Sequence, residues 1–307
     1  MRSLTSVALS ALVSSGLCAA ASSKRGLTYV TSETNAEDDK IWKENDADLS
    51  WYYNYGSSPT AAFEGTKMQF VPMLWGAPTD TSDNSFLNDV RSQIESGAKI
   101  SYVLAFNEPD GNQATGGSNV PPELAAQTWI RQLQPLKKEG VKLGLPAVTG
   151  APGGFTWLED FFKACDGKCK PDFIPVHWYG NFEGMASHVG QVRGTYPNIT
   201  MWITEYALAD ATLEDSQTFA QQSSEYFDRL DYVTHYSYFG SFRSSISNVG
   251  ANAAMLTQDG KLTDIGARYL NVPTQGNIPE AASSKAAVFS GWTIFVGVIV
   301  YLGVSGF

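Results

Sequence analysis

Two glutamates carry the chemistry open to this chain. Glu108 closes the run "ISYVLAFNEPD" and Glu205 closes "ITMWITEYA". Each ends a stretch of Val, Ile, Leu, Phe or Trp that reads as a buried strand, with turn or helix signals after it. Burying a carboxylate at a strand end is costly unless it is paired. The bland alternatives are a loop-capping Glu108 and a Glu205 paired with Lys or Arg. Taken together, two carboxylates facing each other across a gap are what glycoside hydrolysis requires. A gap of about 5–5.5 Å implies a covalent double displacement, and about 6.5–9.5 Å implies inversion.

Such a pair needs elements that bring distant residues to one rim. Eight strand-like runs follow Arg25: 26–30, 49–55, 68–74, 100–106, 141–145, 173–178, 201–204 and 233–239. Between most of them lie segments of helical periodicity, such as "SDNSFLNDVRSQIES" and "TLEDSQTFAQQSSEYFDRL". Strand–helix alternation implies a parallel sheet, and eight units predict closure into a single-domain (β/α)8 TIM barrel, an α/β fold. Glu108 and Glu205 then end the fourth and seventh strands at the C-terminal mouth.

Other residues at that rim follow from spacing. Asn107 places an amide beside Glu108, suited to donating to a sugar hydroxyl, and Pro109 favours extended backbone at Glu108. His177 ends the sixth strand, as a partner of Glu205 or of a sugar hydroxyl; its alternative is a satisfied core histidine. Tyr179 shares the strand face of His177 by period-two alternation, so its phenol could donate to the nucleophile, or pack the wall. Aromatics gather near the mouth. Trp75, Trp178 and Tyr238 are predicted sugar contacts, while Trp51, Tyr53, Tyr55, Tyr206 and Phe239 are read as packing. Asn54 is a hydroxyl partner, or alternatively a turn residue.

The segments "SWYYNYG", "FVPMLWG", "AFNEPD", "HWYG", "WITEYA", "YSYFG" and "MLTQDGKLTDIGARYL" span about residues 25 to 270. In joint order and spacing they resemble glycoside hydrolase family 128 of clan A, fungal endo-β-1,3-glucanases that include the alkali-sensitive-linkage cell-wall proteins. The resemblance implies Glu108 as general acid/base and Glu205 as nucleophile of a retaining endo-β-1,3-glucanase needing no metal or cofactor. The chain departs from the pattern at strand eight, where Tyr238 stands in place of an expected Trp. Alternatives on the same barrel are a glucan transglycosylase and a non-hydrolytic glucan-binding wall protein.

Composition and termini agree with an extracellular setting. The chain has 307 residues and a net charge of −10, which argues against a nucleic-acid partner. A neutral polysaccharide needs no charge complementarity, and a monomer is expected. Residues 1–21 read as a signal peptide. Lys24-Arg25 is either a dibasic processing site or the two charges before the first strand. The catalytic domain is assigned to 26–272, a polar spacer to 273–285, and the apolar tail 286–307 to a GPI-attachment signal, with a transmembrane anchor as its alternative. The expected location is the cell surface or wall, with membrane contact only through the lipid anchor. Once Cys18 leaves with the signal peptide, Cys165 and Cys169 are the remaining thiols, an even count in an oxidising compartment. Asn198 in Asn-Ile-Thr is a glycosylation sequon ahead of the seventh strand, on the side away from the mouth. No phosphate loop, zinc pair or serine-hydrolase elbow competes.

Overall fold

A computed structural model describes residues 22–279, apart from 33, 46 and 47. The signal-peptide and GPI-tail expectations at 1–21 and 286–307 lie outside the described residues, as does the end of the spacer. Among the described residues no helix is long and apolar enough to cross a membrane.

All eight expected strands are present: β1 (Arg25–Thr28), β2 (Trp51–Tyr53), β3 (Gln69–Phe70), β4 (Tyr102–Val103), β5 (Lys142–Leu143), β6 (Phe173–Tyr179), β7 (Thr200–Ala207) and β8 (Val233–Tyr238). They pair in parallel in the order β3-β2-β1-β8-β7-β6, with β4-β5 as a second pair. Parallel bridges Met73↔Leu104 and Gly144↔Phe173 join the two groups. The ring is therefore closed, and the fold is a TIM barrel. Helices α1 (Asp39–Glu44), α2 (Ser85–Glu95), α3 (Pro122–Thr128), α4 (Gly153–Cys165), α5 (Phe182–Thr195), α6 (Leu213–Arg229) and α7 (Asp264–Tyr269) accompany it.

Strand alternation divides the core in two. Inside the barrel, Trp51, Tyr53, Val71, Met73, Leu104, Phe173 and Trp202 form one cluster, and the larger cluster fills the layer between strands and helices. The inner floor is aromatic: His235 stacks on Trp202 at 3.6 Å between ring centroids, with Trp51 and Tyr102 beside it. Burial, with the nearby Lys142 charge, lowers the His235 pKa to about 3, so this ring is neutral packing at any working pH.

Lys24 and Arg25 belong to the fold. The Lys24 ammonium donates to the carbonyls of Phe227, Asp228 and Leu230 at the end of α6, at 3.0, 3.1 and 3.0 Å. A cation at a helix C-terminus satisfies orphan carbonyls and complements the helix dipole. Arg25 is buried, donating to Tyr236 Oη and the Tyr269 carbonyl at 2.9 Å each, and lies 3.8 Å from Asp48. Both side chains therefore take part in the fold, Lys24 at the end of α6 and Arg25 inside the first strand.

Cys165 and Cys169 form a disulfide at the end of α4, with both sulfur-bearing residues buried. Asn198 is exposed in the turn before β7, at the barrel end opposite the mouth.

Candidate active site

Glu205 reaches the barrel interior through a local irregularity. In the β6–β7 ladder Val176 pairs with Ile203 but His177 pairs with Glu205, so Thr204 is an extra residue, a β-bulge. Trp202 faces inward and Ile203 outward. Strict alternation would turn Thr204 in and Glu205 out toward the helices; the bulge re-aims Glu205 into the mouth. The displaced Thr204 carbonyl is held by three hydroxyls, from Ser237 at 2.7 Å, Thr28 at 3.0 Å and Tyr53 at 3.1 Å.

Glu108 is placed by a different device. Its φ is +40°, left-handed backbone that a non-glycine residue rarely adopts, so the extended geometry expected before Pro109 is corrected. The surrounding chain fixes this conformation. The Glu108 N–H donates to the Ala147 carbonyl at 2.7 Å, and its own carbonyl accepts from the N–H groups of Gly111 at 2.9 Å and Ser118 at 3.2 Å. Asp110 ties the loop down by accepting from Thr149 Oγ1 at 2.6 Å and Thr149 N at 2.9 Å.

The two carboxylates meet around His177. Its Nδ1 is 3.0 Å from Glu108 Oε1 and 3.4 Å from Glu205 Oε2. One carboxylate oxygen from each glutamate and one His177 ring nitrogen all lie within 4.8 Å of one another. His177 is fully buried and Glu205 nearly so, whereas the Glu108 side chain keeps 13% exposure. Three phenols surround Glu205: Tyr179 donates to Oε2 at 2.5 Å, and Tyr55 and Tyr53 donate to Oε1 at 2.8 and 3.2 Å. With three phenols donating to Glu205 and one imidazole nitrogen touching both carboxylates, the trio reads as a proton-sharing set.

Opposing effects set the protonation states. Burial and the charge of Glu108 raise the Glu205 pKa above its ordinary value, against the lowering by His177, Tyr179 and Tyr55. Burial disfavours a charged His177, but the Glu205 and Glu108 carboxylates, with Asp110 further off, outweigh it and raise its pKa. The buried carboxyl with donors on both oxygens is held in one orientation. The more open one can exchange protons with a leaving group or water.

The remaining expected site residues divide. Trp75 lies at the mouth, half-buried against the inner cluster beside Tyr55, with its carbonyl accepting from the Asn107 N–H at 2.8 Å. Asn107 is buried, and its amide donates to the Gly116 carbonyl at 3.1 Å, so it braces the Glu108 loop where a sugar contact was expected. Asn54 takes the turn role, bonded to Ser58 O, Thr60 Oγ1 and the Gly56 N–H. Trp178 points away from the trio, stacking on His188 of α5 and donating to the Asn181 carbonyl at 3.0 Å. Tyr238 is 1% exposed and packs on Tyr206 and Tyr269 behind the strand. The expectations that Trp178 and Tyr238 contact sugar are therefore corrected. Alternation explains both, since His177 and Ser237 take the inward positions beside them.

Tyr53 and Tyr55, read as packing, reach Glu205 instead. Phe239, also read as packing, meets Tyr179 edge-on at 5.5 Å at the rim. Period-two parity along "WYYNY" carried the signal, because Trp51, Tyr53 and Tyr55 share the inward face.

Comparison with known proteins agrees with this geometry. A family model described as the glycosyl hydrolase catalytic core matches residues 26–269. Alkali-sensitive linkage protein 1 of Schizosaccharomyces pombe is 29% identical over 259 residues, 81% of this chain and 45% of its own length. The chain thus spans about half the length of the curated relative it matches. A family 128 (subgroup III) curdlan-specific exo-β-1,3-glucanase from Blastomyces gilchristii, in complex with glucose, is 30% identical with a TM-score of 0.62, covering 81% of this chain and 98% of its own. A subgroup IV endo-β-1,3-glucanase from Lentinula edodes is 25% identical with a TM-score of 0.66, over 81% and 99%. A subgroup I endo-β-1,3-glucanase mutant from Amycolatopsis mediterranei, in complex with laminarihexaose, is 26% identical with a TM-score of 0.62, over 82% and 100%. The chain belongs to the glycosyl hydrolase catalytic core family and to glycoside hydrolase family 128.

Proposed function

We propose that the protein is a retaining endo-β-1,3-glucanase of the cell wall or cell surface, with Glu205 as nucleophile and Glu108 as general acid/base. The observation that carries this reading is the pair of carboxylates with oxygens within 4.8 Å around a shared imidazole. That close spacing supports the double-displacement reading over inversion, which uses a wider gap that holds a water.

Glu205 attacks the anomeric carbon while Glu108 protonates the departing glycosidic oxygen. Glu108, left as a carboxylate, then takes a proton from water as that water displaces Glu205. His177 touches both carboxylates, so it balances their charge as the proton moves from one step to the next. Tyr179 orients Glu205 Oε2. Trp75, with Phe239 and the 36% exposed Tyr179, offers apolar faces on which glucose rings can stack.

The substrate class rests on relatives that bind laminarin oligosaccharides or are described as β-1,3-glucanases. An exo mode is a second reading, favoured by the 30% identity to a curdlan-specific exo enzyme. Incubation of wild type and Glu205→Gln with laminarihexaose tests the proposal. Turnover by wild type alone, with mid-length products, supports internal cleavage; release of glucose only would support the exo mode. Products longer than the starting oligosaccharide would indicate transglycosylation, and equal inertness of both proteins would contradict hydrolysis.

A further inference from the structure

The two oxygens of Glu205 are held by different parts of the barrel. Oε2 accepts from Tyr179 on β6 and lies beside His177 Nδ1, the atom that also touches Glu108. It is therefore the oxygen on the Glu108 side of the gap. Oε1 accepts from Tyr53 and Tyr55, supplied by β2 and the turn after it. Tyr55 reaches that position through left-handed backbone, φ 61°, which a tyrosine adopts only under constraint. Tyr53 divides its single proton between Glu205 Oε1 and the Thr204 carbonyl of the bulge. The two rings meet edge-on at 5.0 Å, so each fixes the other. Wall packing alone asks neither for a strained tyrosine nor for two phenols on one carboxylate oxygen.

Resting on the retaining-hydrolase reading, we propose that Tyr53 and Tyr55 are positioning residues that reserve Oε1 as the non-attacking oxygen and assist departure of Glu205 in the second half-reaction. In the first half-reaction an Oε2 electron pair forms the bond to the anomeric carbon. The glycosidic C–O bond breaks, and its pair stays on the leaving oxygen, which receives the Glu108 proton. Glu205 is then a neutral ester with Oε1 as its carbonyl oxygen. In the second, a water oxygen bonds to the anomeric carbon and gives a proton to Glu108. The bond from that carbon to Oε2 breaks, and its pair returns to Glu205.

Negative charge leaves Glu205 in the first step and returns in the second. Hydrogen bonds to a carboxylate are stronger than those to a neutral ester carbonyl. Donors on Oε1 therefore stabilise the resting nucleophile, which opposes attack, and stabilise the departing carboxylate, which favours breakdown of the intermediate. Their net effect falls on the step that restores the charge. No role of this kind is available to a residue that only fills space.

The test is Tyr55→Phe assayed with 2,4-dinitrophenyl β-laminaribioside, whose leaving group needs no proton, so that breakdown of the intermediate limits turnover. The proposal predicts a kcat about tenfold lower. It also predicts a kcat/KM within about threefold of wild type, a correspondingly lower KM, and a glycosyl-enzyme visible by intact mass. The acid limb of kcat/KM should move to higher pH, because a donor favouring ionised Glu205 is gone. Tyr53→Phe should show a weaker form of the same split, and it serves if Tyr55→Phe fails to fold. An equal fall in kcat and kcat/KM, or no change in either, overturns the inference while leaving the hydrolase reading intact. Absence of turnover by wild type overturns both.

Discussion

Gly117→Ala would test whether the backbone around Glu108 is a catalytic device. Gly117 lies in the loop between β4 and α3, where a methyl group would sit 2.5 Å from the Gly111 carbonyl carbon, 2.6 Å from its oxygen and 2.7 Å from the Glu108 oxygen. All three are backbone atoms, so no side-chain rotation relieves the contact. Restoring ordinary separation requires about 0.7–0.9 Å of retreat. The same Glu108 carbonyl accepts from Gly111 and Ser118, and these bonds hold the left-handed turn that aims the carboxyl at His177. Misplacing a catalytic group by roughly 1 Å costs on the order of 100-fold in rate, about 2.7 kcal/mol of transition-state stabilisation.

The assay compares kcat/KM on laminarihexaose with kcat/KM on the dinitrophenyl glycoside. Cleavage of the natural bond needs the Glu108 proton and should fall about 100-fold. The aryl substrate needs no proton in its first step and should fall less than about fivefold. Gly190→Ala is the control: this exposed α5 glycine has nothing within 4 Å of a built methyl, so activity should hold while stability rises by about 0.5–1 kcal/mol. Equal losses on both substrates, or full activity on the natural one, would refute the reasoning.

Three further outcomes follow from the same geometry. The acid limb of wild-type kcat/KM should lie above the ordinary carboxylate value of 4.5, because Glu205 must be ionised to attack and its pKa is raised by burial and by Glu108; a pH–rate profile that stays flat through pH 5 would contradict this. Lys24→Met should destabilise the domain by about 1–2 kcal/mol in urea titration without altering KM, since it uncovers the carbonyl end of α6. Replacing both Cys165 and Cys169 by Ala should cost about 2 kcal/mol, the loop-entropy value for so short a closure, and leave activity unchanged.

Much of the fold was legible because the eight apolar runs keep their order and the loops carry the turn residues. The carboxylates were legible because a charged residue closing a buried strand stands out against its context. Their aim was not. By alternation, Met201, Ile203 and Glu205 would share the outward face, and only the bulge at Thr204 separates Glu205 from them. A bulge depends on how two strands pair, which local residue types do not encode. Glu108 is similar: a hydrogen bond to the distant Ala147, with two inside its own loop from Gly111 and Ser118, overrides the preference set by Pro109. Trp178 and Tyr238 were misplaced because aromatic character was weighted above strand parity, and parity would also have marked Tyr53 and Tyr55 as inward.

The central claim is that Glu205 becomes covalently joined to the sugar while Glu108 shuttles one proton. Proton NMR of the first minutes of laminarihexaose hydrolysis, before the anomers equilibrate, tests it most directly. Double displacement predicts that the new reducing ends appear as the β-anomer. First appearance of the α-anomer would mean single displacement by water and would contradict the account.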